Sequence, residues 1–431
     1  MRVESRLSWL AVAAGSTLCA AVAAIGADAR WLAALGGVIA RAGRIPSSIP
    51  YAAAPSHDWV NVPVLGELVF HWVDALGGER GLIVLQALAV AATLALLLYD
   101  MRATGASDPA RALVLMLVPF ASLSALFVVR AQVFSLPLFA ATVVLLRADA
   151  RGRSARIWLI VPLVALWSNL HGAVLVGLVV ATIYLLFARR FLVLAAVWCA
   201  LFATPALERT ASYYLGVLHS EPAVSGFGMW APLSPHRPLD VLFLAVVAPL
   251  IWLAVRARPR AWELVSLGVL AASTVHVGRN SIWLLLFVAA PAATGLRVRM
   301  AARRNVLITC AWALPVILLV AAFTQAPEQT VAGPALRAHA VRLAGGRPIL
   351  ADPEDAERLA LDGARIWIAN PIDAFERDDQ RDYINWLDGR SAARHDVVLV
   401  QRESEAQRRL TKDAAFREVA RDSVAVLYVR R

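Results

Sequence analysis

Apolar runs of spanning length, or close to it, recur from the start of the chain to about residue 323, separated by short polar turns. A helix needs about 20 apolar residues to cross a bilayer, and a chain built of such runs has little left for a water-soluble core. Eleven spans are expected, near 7–26, 81–99, 111–129, 133–147, 157–169, 172–188, 191–205, 239–255, 262–278, 281–296 and 306–323. The fold class is therefore a polytopic α-helical membrane protein, in keeping with 59% hydrophobic and 17% charged residues. Residues 1–323 form the membrane domain, with a first outer loop at 27–80, and 324–431 form a second domain.

Arginine placement orients the spans. With the N-terminus in the cytosol, 17 arginines fall in cytosolic turns, within 2–6, 102–111, 147–156, 189–190, 256–260 and 297–304. Only five acids accompany them: Glu4, Asp100, Asp108, Asp149 and Glu263. Outer turns hold 8 arginines and as many acids. This is the positive-inside pattern, and an odd number of spans then places the C-terminus outside the cytoplasmic membrane. The same excess accounts for the net charge of +11, so the basic balance reports topology and a nucleic-acid partner is not expected. Residues 1–26 also fit a cleaved signal peptide, but a retained span preserves the alternation. Cys19, Cys199 and Cys310 all lie in expected spans, which argues against a zinc knuckle or a disulfide framework.

The polar residues near bilayer depth gather on the outer side. Trp31, Leu35, Val38 and Ile39 predict an amphipathic surface helix over 29–42. Leu65, Leu68, Trp72, Val73 and Leu76 predict another over 63–77, with Glu67, His71 and Asp74 on its solvated face. Asp28 stands where the first span meets water, a position that suits a catalytic carboxylate and equally a helix cap. Later outer turns carry Arg130 and Gln132, Asn169 and His171, and Arg279 with Asn280. Ionisable groups at such depth usually face a cavity or a partner, although Arg130 and Arg279 also fit snorkelling to lipid headgroups. The tail predicts a small extracytoplasmic α/β domain, with strands at 348–350, 365–368, 397–400 and 424–429 and helices around 353–361, 376–388 and 403–411.

The ordered motifs resemble bacterial integral-membrane glycosyltransferases of the GT-C superfamily. They are Asp28 and Trp31, Gly43-Arg44-Ile45-Pro46, Trp59-Val60, Glu67, Gly77-Gly78, the turn Arg130 to Ser135 and the turn Trp167 to Gly172. The closer resemblance is to a subgroup in which His-Glu-Trp often follows the Trp-Val pair and two acids often stand near the end of the first span. This chain has Val62-Pro63-Val64 and Asp28 alone.

The resemblance implies transfer of a hexose or pentose from a polyprenyl-phosphate-linked donor to a glycan or lipid acceptor of the cell envelope, on the outer face of the cytoplasmic membrane. It implies Asp28 or Glu67 as the catalytic carboxylate. Arg130, Gln132, Asn169, His171, Arg279 and Asn280 become the substrate-binding set, with the arginines suited to the lipid phosphate. No cofactor is implied; a divalent metal stays open, without ligand spacing for one. Two other readings stand beside the enzyme: a transporter or flippase of a lipid-linked substrate, and a non-catalytic GT-C-like membrane scaffold. A transporter would more often show internal repeats and polar residues at mid-membrane; no clear repeat is visible.

Overall fold

The computed structural model describes residues 6–296 apart from 57 and 127, residues 317, 318 and 320, and residues 330–431. The expected span at 306–323 lies almost wholly outside these residues, as do Arg2, Glu4, Cys310 and the arginines of 297–304. The chain divides into two compact units. One comprises Met1–Ala23, Arg80–Thr204 and Met229–Ala326; the other comprises Ala24–Glu79, Pro205–Gly228 and Pro327–Arg431.

The first unit is helical. The other ten expected spans each fall on helix, several of them shorter than the apolar run, such as Arg6–Ala21, Asp108–Ala121 and Ser281–Gly295. Among the described residues, Val64–Ala103, Gln132–Arg151 and Pro238–Arg256 are long and apolar enough to cross a membrane. Ala155–Ser168, Val174–Phe187 and Phe191–Ala200 are apolar and shorter. Ser281–Gly295 is the core helix: Ile282 to Ala290 are all buried, as a helix apolar on every side requires. It packs on Pro238–Arg256, and a Cβ at Gly295 would stand 2.2 Å from the Leu253 carbonyl oxygen, so only glycine permits that approach. Large apolar side chains such as Leu88, Phe191, Leu192 and Trp252 stay exposed on this unit, as lipid-facing residues would.

The acids near the expected cytosolic ends are not left to solvent. Arg147 is buried in Gln132–Arg151, where it bonds Asp100 at 2.7 Å, Glu263 at 2.9 Å and the Phe287 carbonyl at 2.8 Å. Asp100 also meets Arg151 at 3.3 Å; Asp149 binds Arg190 at 2.7 Å and the Tyr184 hydroxyl at 2.6 Å. Asp108 pairs with Arg111 at 3.5 Å. All four described acids of that set are thus ion-paired. The charge count does not reveal this, because it treats arginines as topology markers rather than as partners.

The second unit is mixed. The helix Ala27–Ala42 packs on Pro353–Leu361. It ends at Gly43, whose φ of 64° allows its N–H to reach the Ile39 carbonyl at 2.9 Å. That turn explains the Gly-x-Ile-Pro motif: the chain leaves at Ile45-Pro46 and is folded back by Trp59 N–H to Ser47 O at 3.1 Å. The Gly77-Gly78 pair explains itself likewise. Val64–Ala103 breaks at Gly78 (φ 57°, ψ −153°), separating residues 64–77 from the apolar stretch that follows.

Four strands follow in the tail: β1 (Leu350–Ala351), β2 (Val397–Gln401), β3 (Phe416–Arg421) and β4 (Ala425–Arg430). Their order is β1-β2-β4-β3, with β1 parallel to β2 and the other pairings antiparallel. Alternate residues Val397 and Leu399 of β2, and Ala425 and Leu427 of β4, enter a core with Leu336, Leu359 and Ile366. One expectation is corrected, and two elements were not anticipated. Residues 365–368 are not a strand in the sheet; Ile366 makes only isolated bridges, to Ile349 and to Ala52 of the first loop. β3 has the polar sequence Phe-Arg-Glu-Val-Ala-Arg, which hides an edge strand from any hydrophobicity count. The helix Pro334–Ala344 also precedes the expected elements. Through the bridge at Ala52, and through Ile366 N–H to Tyr51 O at 3.0 Å, the loop segment 51–54 extends the edge of the domain it was expected to lie apart from in sequence.

The helix at 63–77 is also turned the other way. Leu65, Trp72 and Leu76 are exposed, the last by 88%, whereas Glu67 is fully buried. The expected solvated face therefore points partly inward. What allows this is Gly36: a Cβ there would lie 2.1 Å from the Glu67 carbonyl oxygen. The Gly36→Ala variant is expected to force the two helices apart, at a cost of about 1–3 kcal/mol for overpacking. Gly77→Ala, with nothing within 4 Å of its Cβ, is the control and should be neutral or slightly stabilising. Thermal unfolding of both variants checks this; equal melting temperatures would mean that the close approach is not needed.

Candidate functional site

The second unit brings four ionisable side chains into one electrostatic set. Asp28 is half-buried in the first turn of Ala27–Ala42, where a negative charge suits the helix dipole. It does not cap that helix: the cap position is Gly26, which corrects one of the two readings of Asp28. Glu67 enters from residues 64–77, before the break at Gly78 and outside the expected span. Glu357 enters from Pro353–Leu361, and Tyr51 from the loop.

Their environments differ. Asn61 Nδ2 donates to Glu67 Oε2 at 2.7 Å, but Glu67 Oε1 and Asn61 Oδ1 are buried with no hydrogen-bond partner. Burial pushes the Glu67 carboxyl up to about 8, with the Asn61 bond opposing it weakly, so Glu67 keeps its proton at neutral pH. Burial raises Glu357 well above the usual carboxylate range, and the nearby charge of Asp28 adds to it. The Asn370 N–H donates to Glu357 Oε1 at 3.0 Å, while Oε2 has no partner. Tyr51 is held protonated by burial and by Glu357 and Glu67, and its hydroxyl is buried and unpartnered. Each orphaned polar atom typically costs about 1–3 kcal/mol, and such atoms gather where a ligand or water completes them.

Arg30, two residues on from Asp28, is buried and bonded through its two terminal nitrogens, while its Nε has no partner. It donates to Ile25 O at 3.1 Å, Glu79 Oε1 at 3.0 Å and Thr330 Oγ1 at 3.3 Å. No group of three or more His, Cys, Asp or Glu among the described residues has metal-binding geometry. Glu357 and Tyr51 were not singled out in the sequence. Only the burial of an acid between Ala and Arg in Pro353–Leu361 sets Glu357 apart, and sequence does not display burial.

The remaining expected site residues lie in the first unit. Arg130 is half-buried just before Gln132–Arg151, and Gln132 opens that helix. Ser135, one turn on, joins two motifs. Trp167 Nε1–H donates to Ser135 Oγ at 2.7 Å, and the Ser135 hydroxyl donates to His171 Nδ1 at 2.8 Å. The Ala173 N–H also approaches Nδ1, at 3.3 Å. Nδ1 is thus an acceptor and the ring is the Nε2–H tautomer. This is the physical content of the Arg-x-Gln-x-Phe-Ser and Trp-x-Asn-x-His-Gly turns: they are halves of one hydrogen-bonded structure. Asn169 ends Ile160–Ser168 and donates to Ala165 O and Ala203 O, each at 2.7 Å. Arg279 lies 3.8 Å over the Trp230 ring and is close enough to His171 to interact with it electrostatically. Asn280 donates to Ser273 Oγ at 2.7 Å, which fixes the turn before Ser281–Gly295.

No family model matches the chain, and no curated protein matches it. Among solved structures the chain is similar to the arabinofuranosyltransferase AftD from mycobacteria, at 15% identity and a TM-score of 0.52. The match covers 98% of this chain and 41% of that one, so the chain spans about two fifths of the length of that protein. At this identity the likeness is one of fold, and it extends over nearly the whole chain.

Proposed function

We propose that the protein is a membrane glycosyltransferase that takes a sugar from a polyprenyl-phosphate-linked donor and passes it to a cell-envelope acceptor on the outer face of the cytoplasmic membrane. The observation that carries this reading is the set Asp28, Tyr51, Glu67 and Glu357: buried or half-buried and electrostatically linked, with a buried polar atom of each of Tyr51, Glu67 and Glu357 left without a hydrogen-bond partner. The GT-C-like fold supports it.

In this reading Asp28 is the base. With its carboxyl pushed up to about 8, Glu67 is mostly protonated at neutral pH and suits that role less well. Asp28 takes the proton of an acceptor hydroxyl. The oxygen forms a bond to the anomeric carbon, the bond from that carbon to the phosphate oxygen breaks, and the lipid phosphate leaves as an anion. Protonated Glu67 and Tyr51 supply hydrogen bonds to sugar oxygens. For the first unit, taken by itself, the proposal keeps Arg130 and Arg279 as candidate phosphate-binding residues, with Gln132, Asn169, His171 and Asn280 as candidate substrate-binding residues in its turns.

The test is direct. Purified protein in lipid vesicles, given polyprenyl phosphate carrying radiolabelled pentoses or hexoses, is expected to release polyprenyl phosphate and move label into a saccharide or lipid acceptor. Intact donor across the whole panel would reject the glycosyltransferase reading.

A further inference from the structure

A concavity lies in the same unit, lined by none of the four side chains of the catalytic reading. It has a volume of about 490 Å³ and is lined by three separate segments: the loop at 55–60, residues 209–216 and residues 373–376. These segments are tied to one another. Arg209 donates to the Asp58 carbonyl at 3.0 Å, and the Glu221 N–H donates to Gln380 Oε1 at 2.8 Å. Gln380 Nε2 in turn holds the Phe375 carbonyl at 2.8 Å. The walls are therefore positioned, not loose.

We infer that this cleft binds a neutral saccharide, the acceptor end of the glycan, through Tyr213 as a ring platform, with the largely buried Trp59 and Phe375 in its wall, and Asp58, Asp373 and Glu376 as hydroxyl acceptors. The chemistry argues for that class. Aromatic faces offer the apolar surface that the C–H face of a sugar ring buries, and sites of this kind combine such surface with a few fixed polar groups. A carboxylate accepts from two hydroxyls at once. Three acids against the single Arg209 disfavour an anionic ligand, so the lipid phosphate does not belong here. The Trp59 indole N–H is buried without a partner, a donor available to a sugar oxygen. Burial raises Asp373 only to about 6, which leaves it ionised at neutral pH. The inference rests on the glycosyltransferase reading for the word acceptor; saccharide binding itself does not.

The experiment titrates the full-length protein in lipid nanodiscs with linear arabinan, mannan and glucan tetrasaccharides, following tryptophan fluorescence and saturation-transfer NMR. At least one tetrasaccharide is expected to bind with millimolar or better affinity, and Tyr213→Ala and Asp373→Asn are each expected to weaken it about tenfold. Failure of every tetrasaccharide to bind at 10 mM, roughly the weak limit for a specific sugar site at −2.7 kcal/mol, would overturn the proposal. So would binding that both cleft variants leave intact, or tighter binding of inorganic phosphate than of any sugar. Saccharide binding without donor turnover would keep the cleft and reject the enzyme; turnover with an acceptor KM unmoved by either variant would do the reverse.

Discussion

Asp28→Asn is expected to reduce sugar transfer by a factor on the order of 10²–10⁴, the usual contribution of a positioned general base. Expression and melting temperature should stay near those of the parent. The structure sharpens this expectation, because Asp28 sits in the first turn and the cap is Gly26, so the amide has no capping bond to disturb. The paired variant is Glu67→Gln. A protonated glutamic acid and a glutamine have nearly the same shape and both donate a hydrogen bond; with its carboxyl pushed up to about 8, Glu67 is already in the form that Gln imitates. Transfer by Glu67→Gln at pH 7 should therefore lie within a few-fold of the parent. The sign for stability follows from the same shift. A carboxyl whose folded-state affinity for protons is raised contributes most below its unfolded value of 4.5 and loses that contribution as pH rises through 8. Glu67→Gln should thus flatten the fall in melting temperature between those limits. A base role for Glu67 would reverse the two kinetic results: near-normal transfer in Asp28→Asn and collapse in Glu67→Gln.

Periodicity located the helices because burial and lipid exposure both select apolar residues, and either cause leaves the same trace. For that reason it could not say which face of residues 63–77 turns inward. Leu65, Trp72 and Leu76 look like a core stripe, yet they are exposed, and Glu67 on the polar stripe is buried against Gly36. In a chain that meets lipid, an apolar face can be the outside. The catalytic candidates Asp28 and Glu67 were legible from their position in the first loop. Glu357 and Tyr51 were not, because what marks them is unpartnered burial, produced by long-range packing of the loop on the tail within one unit. The tail strands Val397–Gln401 and Ala425–Arg430 are apolar runs and were read correctly in place; β3 at the edge needs few apolar side chains and gave no such signal. The turns around Ser135 and His171 were recognised as motifs, but sequence supplied no reason for their spacing. The bond from Ser135 to His171, 36 residues apart, supplies it.

Arg147→Ala is expected to cost about 3–5 kcal/mol, the usual penalty for removing one member of a buried ion pair. The side chain is only 5% exposed and holds Asp100, itself 1% exposed, together with Glu263. Truncation leaves Glu263 without that partner and Asp100 with only Arg151 at 3.3 Å, and it uncovers the Phe287 carbonyl that Arg147 also binds. The measurement is the apparent melting temperature in detergent, together with the yield of folded protein. A second variant separates an orphaned charge from a simple loss of volume. Combining Arg147→Met with Asp100→Asn and Glu263→Gln removes these three charges while keeping most of the side-chain bulk, leaves the 34% exposed Arg151 to solvent, and should recover much of the loss. Were the network merely a set of exposed pairs, worth about 0–1 kcal/mol each, Arg147→Ala would melt close to the parent and the triple variant would gain nothing. The burial of Arg147 and Asp100, with Glu263 only 13% exposed, argues for the larger effect, because attraction between charges held away from water is screened far less, and so is the cost of breaking it.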